Sequence, residues 1–178
     1  RSLIYDINVL GTQNILDALV NLSINPKKII IASSATVYGN QNKNVLDESM
    51  CPKPVNHYGI SKLAMENIVR TYFNKLNILI TRPFNYTGPE HSDNFIIPKI
   101  VNHYLKNKEV IELGNLDVSR EFNDIRTIIE IYHNLLLSDA KSDVVNLCTG
   151  NVIKLSDVLK HMNELSGYSI DIEINQEF

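Results

Sequence analysis

The chain has 178 residues, which is enough for one domain with a sizeable hydrophobic core. Its hydrophobic content of 44% is typical of a globular protein, and its net charge of −3 gives no support for binding to nucleic acid or to an anionic membrane surface. The cysteines, Cys51 and Cys148, match neither a metal-binding nor a disulfide pattern, so we expect reduced thiols, no metal site and a cytoplasmic location. No apolar run approaches the roughly 20 residues of a membrane span, and no membrane insertion is expected.

Residues 3–22 carry apolar side chains at helical spacing, which predicts one long amphipathic helix. Gly11 falls inside this helix and is expected to permit close packing, since glycine otherwise costs a helix about 1 kcal/mol. Asn8 fits either a buried polar hinge or the surface, and the pattern favours the surface. Residues 28–32 form a short run rich in isoleucine, which predicts a strand buried on both faces, as in a parallel sheet.

Hydroxyl-bearing residues follow this strand directly, within positions 33–39. Active-site groups in open α/β sheets collect beyond the carboxyl ends of the strands, so a site at this junction is one interpretation. A polar junction without function is the other. Residues 40–56 are polar and contain prolines, which predicts a loop long enough to be functional.

The loop leads into a helix that is predicted to begin near Tyr58 and to end at residue 76. Its predicted core face consists of Ile60, Leu63, Ala64, Val69, Tyr72, Phe73 and Leu76. Tyr58 and Lys62 lie four residues apart, so their side chains stand one above the other. A nearby cation favours the phenolate, and we therefore expect Lys62 to lower the pKa of Tyr58 and suit it to proton transfer. The pair alone is weak evidence, because many helices contain one by chance.

The second half of the chain continues to alternate between strands and helices. The predicted elements are strand 77–81, helix 94–106, strand 110–113, helix 126–137, strand 143–147, a helix that Ser156 caps and that ends before Gly167, and strand 170–174. This alternation predicts an α/β fold with a parallel sheet.

Six motifs occur in the order found in a known family. They are Asn8–Thr12, Ser34–Gly39, Tyr58–Lys62, Arg82–Pro89, Arg120–Ile125 and Val145–Gly150. Together they resemble the extended short-chain dehydrogenases/reductases of the NAD-dependent epimerase/dehydratase family, which modify nucleotide sugars. The resemblance implies a Rossmann-like parallel sheet flanked by helices, with part of a C-terminal substrate-binding subdomain. Residues 1–89 would be the second half of the Rossmann-like domain, and residues 90–178 mostly the subdomain, with 120–150 returning to the Rossmann-like core.

The resemblance also implies roles for individual residues. The implied catalytic residues are Ser34, Tyr58 and Lys62, with Tyr58 as the acid/base, Lys62 holding the nicotinamide ribose and Ser34 bonding to the reacting sugar oxygen. The implied cofactor is NAD or NADP, bound by Ser33, Tyr58, Lys62, Pro83 and Phe84. The implied contacts to the nucleotide sugar come from Thr36, Asn85 and Arg120, and the guanidinium fork of the last suits a diphosphate.

Several positions restrict which reaction and which substrate the resemblance implies. The 4,6-dehydratases of the family carry two acidic residues after the catalytic hydroxyl, whereas this chain has Ala35 and Thr36 there. The motif around Gly114–Asp117 resembles the reductases that act on GDP-4-keto-6-deoxy-mannose, so a GDP-sugar is the favoured substrate. The 4-epimerases that act on UDP-sugars also accept the segment 35–39 and are the alternative. Glu121 stands where an Asp is usual.

The glycine-rich turn that opens the family's pattern has no counterpart here, since the seven glycines never fall in its Gly-x-x-Gly-x-x-Gly spacing. We therefore expect the N-terminal βαβ units to be missing and strands 28–32 and 77–81 to lose partners, leaving an exposed sheet edge. The chain would then be part of a larger enzyme, or else a shortened module that binds nucleotide sugars or serves assembly without catalysis. The resemblance further implies a homodimer formed through helices 3–22 and 59–76.

Overall fold

In the computed structural model the described residues are 2–41 and 45–175. They form two compact units. The first unit contains the chain up to Phe84 together with Ile129–Leu147, and the second contains Asn85–Ile128 and the chain from Cys148 onward. Among the described helices, none combines the length and the apolar character needed to cross a bilayer. Part of the predicted loop, residues 42–44, lies outside the described residues.

The elements are numbered in chain order. The helices are α1 (Ser2–Tyr5), α2 (Thr12–Asn21), α3 (His57–Arg70), α4 (Ile96–Leu105), α5 (Ile125–Leu137) and α6 (Leu155–Ser166), with a π-helical segment at Asp6–Gly11 and a 3₁₀ turn at Ala35–Tyr38. The strands are β1 (Ile29–Ala32), β2 (Ile78–Pro83), β3 (Tyr86–Thr87), β4 (Val110–Leu113), β5 (Ser119–Glu121), β6 (Asn123–Asp124), β7 (Asp143–Leu147), β8 (Val152–Lys154) and β9 (Asp171–Ile174).

The first unit is built on a parallel sheet with the strand order β1-β2-β7. Ile29 pairs with Ile78 on one side of β2, and Leu79 pairs with Asp143 on the other. The predicted parallel α/β sheet is confirmed. Because β2 has neighbours on both sides, its residues are buried as far as Arg82, and the expected exposed edge on this strand is wrong.

Strand β1 differs from its prediction. Residues 29–31 are only half-buried, although the isoleucine run predicted burial on both faces. Within residues 2–41 and 45–175, β1 pairs with β2 alone, so one side of the strand has no neighbouring strand to cover it. The isoleucine run therefore indicated the type of element correctly but not its degree of burial. The exposed sheet edge expected on this strand is confirmed within the described residues.

The first helical run extends without a break from Ser2 to Asn21, which confirms the predicted long helix. The π-helical segment contains Asn8 and Gly11, both of which differ from expectation. A Cβ added at Gly11 would meet only Asp6 O, at an ordinary 3.5 Å, so this glycine permits no close packing. Asn8 is half-buried rather than at the surface, and its Nδ2 donates to Ser61 Oγ at 3.0 Å.

Helix α3 ends at Arg70, earlier than predicted, and hydrogen-bonded turns carry the chain on to Leu76. Ile60 is 42% exposed, so its assignment to the core face is wrong, whereas the polar Ser61 and Glu66 are fully buried. The buried side of α3 therefore includes polar residues that the apolar pattern did not predict to be buried. The apolar core of the first unit consists of Leu16, Met65, Val69, Tyr72, Leu76, Ile78, Ile80 and Val144.

The second unit has its own core, in which α4 and α6 cover a parallel pair formed by β4 and β9. Strand 110–113 is confirmed, and β9 begins one residue later than predicted. All four residues of β9 are exposed, so the predicted alternation of buried and exposed residues is wrong. The isoleucine that is buried, Ile170, lies just before the strand. The predicted cap is also wrong: Lys154 occupies the N-cap of α6 and Ser156 lies inside the helix, while Gly167 ends it in a left-handed conformation, as predicted.

A substitution at Leu16 tests how α2 packs on the core of the first unit. Leu16→Ala should lower the free energy of unfolding by about 2–5 kcal/mol, because it removes fully buried methyl groups and leaves a cavity. Leu22→Ala is the matched control, since Leu22 follows the same helix but is 69% exposed, and it should change stability by less than about 0.5 kcal/mol. Chemical denaturation measures both. Equal losses would contradict the described packing.

Candidate functional site

The segment after β1 forms a hydroxyl-lined turn. Ser33 N donates to Thr81 O at 2.7 Å, which continues the sheet pairing for one residue beyond the strand. Ser34 is extended and caps the 3₁₀ turn, with its Oγ accepting from Thr36 N at 3.2 Å and from Thr36 Oγ1 at 2.9 Å. Since Ser34 is the acceptor in both bonds, its own hydroxyl proton remains for a third partner.

The first turn of α3 lies directly against this hydroxyl turn. Asn56 caps the helix, and its Oδ1 accepts from Gly59 N at 2.8 Å. A Cβ added at Gly59 would lie 2.8 Å from Thr36 O and 2.9 Å from Pro54 Cβ, which is too close for real carbon atoms. Glycine at position 59 therefore allows the helix turn that carries Tyr58 to contact the turn that carries Ser34.

Tyr58 and Lys62 share one face of α3, as their spacing predicted. Lys62 Nζ lies 5.8 Å from the centroid of the Tyr58 ring and donates to Ala32 O at 2.8 Å. Burial lowers the pKa of the Lys62 amine below its usual value. Tyr58 is 43% exposed, so its phenol can reach a bound molecule.

Pro83 and Phe84 stand at the carboxyl end of β2, and both are half-buried. Phe84 N donates to Leu147 O at 3.0 Å, which fixes this segment to the end of β7. The carboxyl ends of parallel strands lie at one edge of a sheet, and Lys62 is tied to the end of β1. The structure thus brings Ser34, Tyr58, Lys62, Pro83 and Phe84 to this edge of the first unit.

Ser33 has a different contact from the predicted one. Its side chain is buried, and its Oγ donates to Glu66 Oε1 at 2.6 Å. The proton of this hydroxyl is therefore used within the protein, and a cofactor contact by Ser33 stays a prediction. Residue spacing did not reveal this, because the buried carboxylate comes from a helix 33 residues further along the chain.

Asn85 and Arg120 belong to the second unit, and both are exposed. Asn85 O accepts from Asn123 N at 2.9 Å and from Asn123 Nδ2 at 3.1 Å. Next to Arg120, the buried Glu121 carboxylate accepts from Thr149 Oγ1 at 2.7 Å and from Gly150 N at 2.8 Å, and Thr149 Oγ1 lies 2.9 Å from Asn123 Oδ1. One hydrogen-bonded cluster therefore supports both segments.

The second unit also contains a cavity of about 830 Å³. Residues 87–93 and one face of α4 line it, with Phe122 and Asp124 at its side. Neither Asn85 nor Arg120 lines this cavity, so it does not coincide with the predicted nucleotide-sugar contacts. In the described ranges, no cluster of three or more His, Cys, Asp or Glu residues could hold a metal ion.

Sequence patterns missed the polar contacts that hold α3. Ser61 Oγ donates to Tyr58 O at 2.8 Å and accepts from Asn8 Nδ2, so a chain of hydrogen bonds runs from the π-helical segment to the backbone of Tyr58. The available signal was that Ser61 stands at helical spacing with the apolar residues Met65 and Val69 on the core-facing side of α3. A buried polar side chain needs a partner, and that partner had to come from elsewhere in the chain.

The residues gathered at the sheet edge of the first unit fit the nicotinamide end of a dinucleotide. Ser34 has a hydroxyl proton to donate, Lys62 supplies a half-buried amine, and Pro83 with Phe84 provides a half-buried apolar wall. No glycine spacing in this sequence matches the turn that cradles a pyrophosphate. The fit is thus to one end of the cofactor.

The family model of GDP-mannose 4,6 dehydratase matches residues 2–177. The chain therefore belongs to this family, and the resemblance inferred from its motifs is confirmed.

Two curated relatives are similar over nearly the whole chain. GDP-6-deoxy-D-talose 4-dehydrogenase of Aggregatibacter actinomycetemcomitans is 36% identical, over 98% of this chain and 59% of that protein. GDP-6-deoxy-D-mannose reductase of Pseudomonas aeruginosa is 31% identical, over 96% of this chain and 58% of that protein. The chain thus spans somewhat more than half the length of these relatives.

Two solved structures share the fold. A protein from Burkholderia cenocepacia J2315, described as a candidate epimerase, superposes with a TM-score of 0.94 at 42% identity, over 98% of this chain and 57% of that one. RMD from Pseudomonas aeruginosa, complexed with NADPH, superposes with a TM-score of 0.89 at 29% identity, over 96% of this chain and 60% of that one. The Rossmann-like fold class is confirmed.

Gly59 and Gly11 form a matched pair of helical glycines. Alanine normally stabilises a helix relative to glycine by about 1 kcal/mol. Gly59→Ala should nevertheless lower the free energy of unfolding by about 1–3 kcal/mol, because its Cβ would collide with Thr36 O and Pro54 Cβ. Gly11→Ala should be neutral or stabilising, because it meets only Asp6 O at 3.5 Å. If denaturation shows both substitutions to be stabilising, the close approach of α3 to the hydroxyl turn is refuted.

Proposed function

We propose that the protein is an NAD(P)-dependent oxidoreductase that reduces the 4-keto group of a 6-deoxy sugar linked to GDP. The observation that carries this proposal is the position of Lys62 Nζ, 5.8 Å from the Tyr58 ring, at the sheet edge where the Ser34 turn also lies. The names of the two curated relatives, which refer to GDP-6-deoxy sugars, support the choice of substrate.

In the proposed reaction the Tyr58 phenol donates its proton to the C4 carbonyl oxygen of the sugar. The Ser34 hydroxyl donates a hydrogen bond to the same oxygen as negative charge develops there, an effect usually worth about 3–4 kcal/mol. When bound, a reduced nicotinamide would supply the hydride to C4. The Lys62 ammonium favours the phenolate that remains on Tyr58 after proton transfer.

The proposed contacts to the nucleotide sugar come from Thr36, Asn85 and Arg120. Thr36 and Arg120 are exposed, and the Arg120 guanidinium can donate two parallel bonds to a diphosphate. In this assignment residues 1–89 are the second half of a Rossmann-like domain. Residues 90–178 belong mostly to the substrate-binding subdomain, with 120–150 returning to the Rossmann-like core. Pro83 and Phe84 would pack against the nicotinamide of NAD or NADP.

The proposed reaction does not include elimination of water. The family takes its name from a dehydratase, but the positions where its 4,6-dehydratases carry two acidic residues are Ala35 and Thr36 here. Neither side chain can exchange a proton near neutral pH. A cytoplasmic location is proposed as well, supported by the exposed positions of Cys51 and Cys148, which match no disulfide pattern in the sequence, and cell fractionation would check it.

The alternative function is 4-epimerisation of a UDP-sugar. Similarity to the candidate epimerase of Burkholderia cenocepacia J2315, at 42% identity, favours it. An epimerase would interconvert two sugar epimers with no net consumption of cofactor. A UDP-sugar that the protein converts to its 4-epimer would therefore establish the alternative.

Tyr58→Phe tests the proton-transfer role. The substitution keeps the ring and removes the acid, so kcat should fall by about 100-fold or more while the KM for the nucleotide sugar stays within about twofold. Tyr168→Phe is the control, because the Tyr168 hydroxyl only donates to Lys108 O at 3.1 Å and should leave kcat unchanged. Near-normal turnover by Tyr58→Phe would refute the proposed mechanism.

A homodimer is proposed on the basis of the first helical run. Leu3, Ile7 and Leu10 lie on one side of this run and are exposed, and Ile60 on α3 is exposed as well. Exposed apolar surface of this kind is typical of an interface between copies. The resemblance to a family that dimerises through paired helices supports this assignment.

Ile7→Glu tests the proposed interface. A charge at this exposed apolar position should convert a dimer into a monomer with little loss of folded-state stability. Leu22→Glu is the control, because Leu22 is equally exposed at the end of the run and should leave the dimer intact. Light scattering coupled to size exclusion measures the mass. A wild-type protein that is monomeric would contradict the interface.

A further inference from the structure

A buried carboxylate joins three segments of the first unit. Glu66 on α3 is fully buried, and Arg82 on β2 is 1% exposed. Arg82 Nε donates to Glu66 Oε1 at 2.9 Å, and Arg82 Nη2 donates to Glu66 Oε2 at 2.6 Å. Ser33 Oγ donates to Glu66 Oε1 at 2.6 Å. Both oxygens of the carboxylate are therefore engaged by groups from the end of β1 and the end of β2.

The buried cluster of Ser33, Glu66 and Arg82 stands close to the proposed site at each of its members. Ser33 immediately precedes Ser34, and Arg82 immediately precedes Pro83. Glu66 follows Lys62 by one helical turn and therefore lies on the same side of α3. The Lys62 bond to Ala32 O runs alongside the Ser33 bond to Glu66, so two successive turns of α3 are tied to two successive residues at the end of β1.

Arg82 is itself held on its other side. Its guanidinium carbon lies 4.8 Å from the centroid of the Tyr38 ring, and Tyr38 OH donates to Asn146 Oδ1 at 2.8 Å. Asn146 N in turn donates to Glu48 Oε1 at 2.7 Å. Burial acts to lower the pKa of Arg82, but the interactions with Glu66 and Tyr38 together outweigh it, and the pKa lies above its usual value. The Arg82 guanidinium therefore stays charged.

We propose that Glu66 is a positioning residue for the proposed reaction, whose carboxylate holds the segments carrying Ser34, Lys62 and Pro83 in one fixed register. This inference rests on the proposed function. The paired bonds between guanidinium and carboxylate fix both distance and rotation, which a single hydrogen bond does not. Proton transfer depends on such placement, since a displacement of about 1 Å can reduce turnover by about 100-fold.

Stability alone does not account for this arrangement. Desolvation of two buried charges offsets most of their attraction, so a buried ion pair contributes little to folding compared with well-packed apolar side chains. The paired bonds between the Arg82 guanidinium and the Glu66 carboxylate, in contrast, fix one relative position of the two side chains. A role in positioning predicts that damage to the network lowers kcat more than an equally destabilising substitution elsewhere in the same unit.

The test compares three variants in the protein as expressed from its gene. Arg82→Lys keeps the charge but loses the fork, and Ser33→Ala removes one donor and leaves the ion pair. Tyr72→Phe is the matched control, because it removes the bond from Tyr72 OH to Asp17 Oδ1 in the core between α2 and α3, away from the sheet edge. For each variant we would measure kcat, KM, the Tm, and hydrogen exchange of segments 32–36, 57–66 and 82–84.

Arg82→Lys is expected to lower kcat by more than about tenfold, and Ser33→Ala by about threefold, with the KM for the nucleotide sugar within about twofold. Exchange should rise in the three segments and stay unchanged in residues 12–21. Tyr72→Phe should lower the Tm with kcat within about twofold. If Arg82→Lys does not fold, Ser33→Ala decides the question. Wild-type kcat in Ser33→Ala, with exchange unchanged, would overturn the proposal.

The exchange measurement separates this inference from the proposed function. If Tyr58→Phe leaves turnover intact, the proposed function fails whatever Glu66 does. Faster exchange in segments 32–36 and 57–66 would still support the positioning of these segments by Glu66. If Tyr58→Phe abolishes turnover while Arg82→Lys and Ser33→Ala behave like the control, the proposed function stands and the positioning role fails.

Discussion

The arrangement of the first unit depends on the buried Glu66 carboxylate. A parallel sheet delivers the carboxyl ends of its strands to one edge, but the sheet alone does not set where a covering helix stands along that edge. Apolar packing under α3 is non-directional and tolerates sliding. The bonds from Ser33 and Arg82 to Glu66 are directional and buried, so they select one position of α3 against the ends of β1 and β2.

Other contacts restrain the same helix in different directions. Gly59 brings the helix start against the hydroxyl turn, where no side chain larger than hydrogen fits. Ser61, bonded to Asn8, connects the helix to the π-helical segment. The π-helical segment widens the first helical run at the point where Asn8 reaches α3, and such segments occur often at functional sites. The pair of Tyr58 and Lys62 thus stands on a helix fixed at its start, its buried side and its sheet-facing turn.

Local patterns predicted the elements of this fold well, because hydrophobic spacing and glycine positions act within one segment. They predicted β7 and β4 at their observed bounds and the end of α6 at Gly167. Patterns failed where the outcome depended on a distant partner. The burial of β1 depends on its neighbours in the sheet, and the contacts of Ser33 and Asn8 depend on α3. The spacing of Tyr58 and Lys62 could be predicted because both belong to one helix.

The proposed reaction is the transfer of a hydride to C4 of a GDP-linked 4-keto-6-deoxy sugar. The most direct test uses reduced cofactor deuterated at the transferred position, with GDP-4-keto-6-deoxy-mannose as substrate and mass spectrometry of the product. We expect one deuterium per product sugar and one cofactor consumed for each product formed. A protein that consumes no cofactor with this substrate, yet interconverts a UDP-sugar and its 4-epimer, would refute the proposed reduction and establish an epimerase.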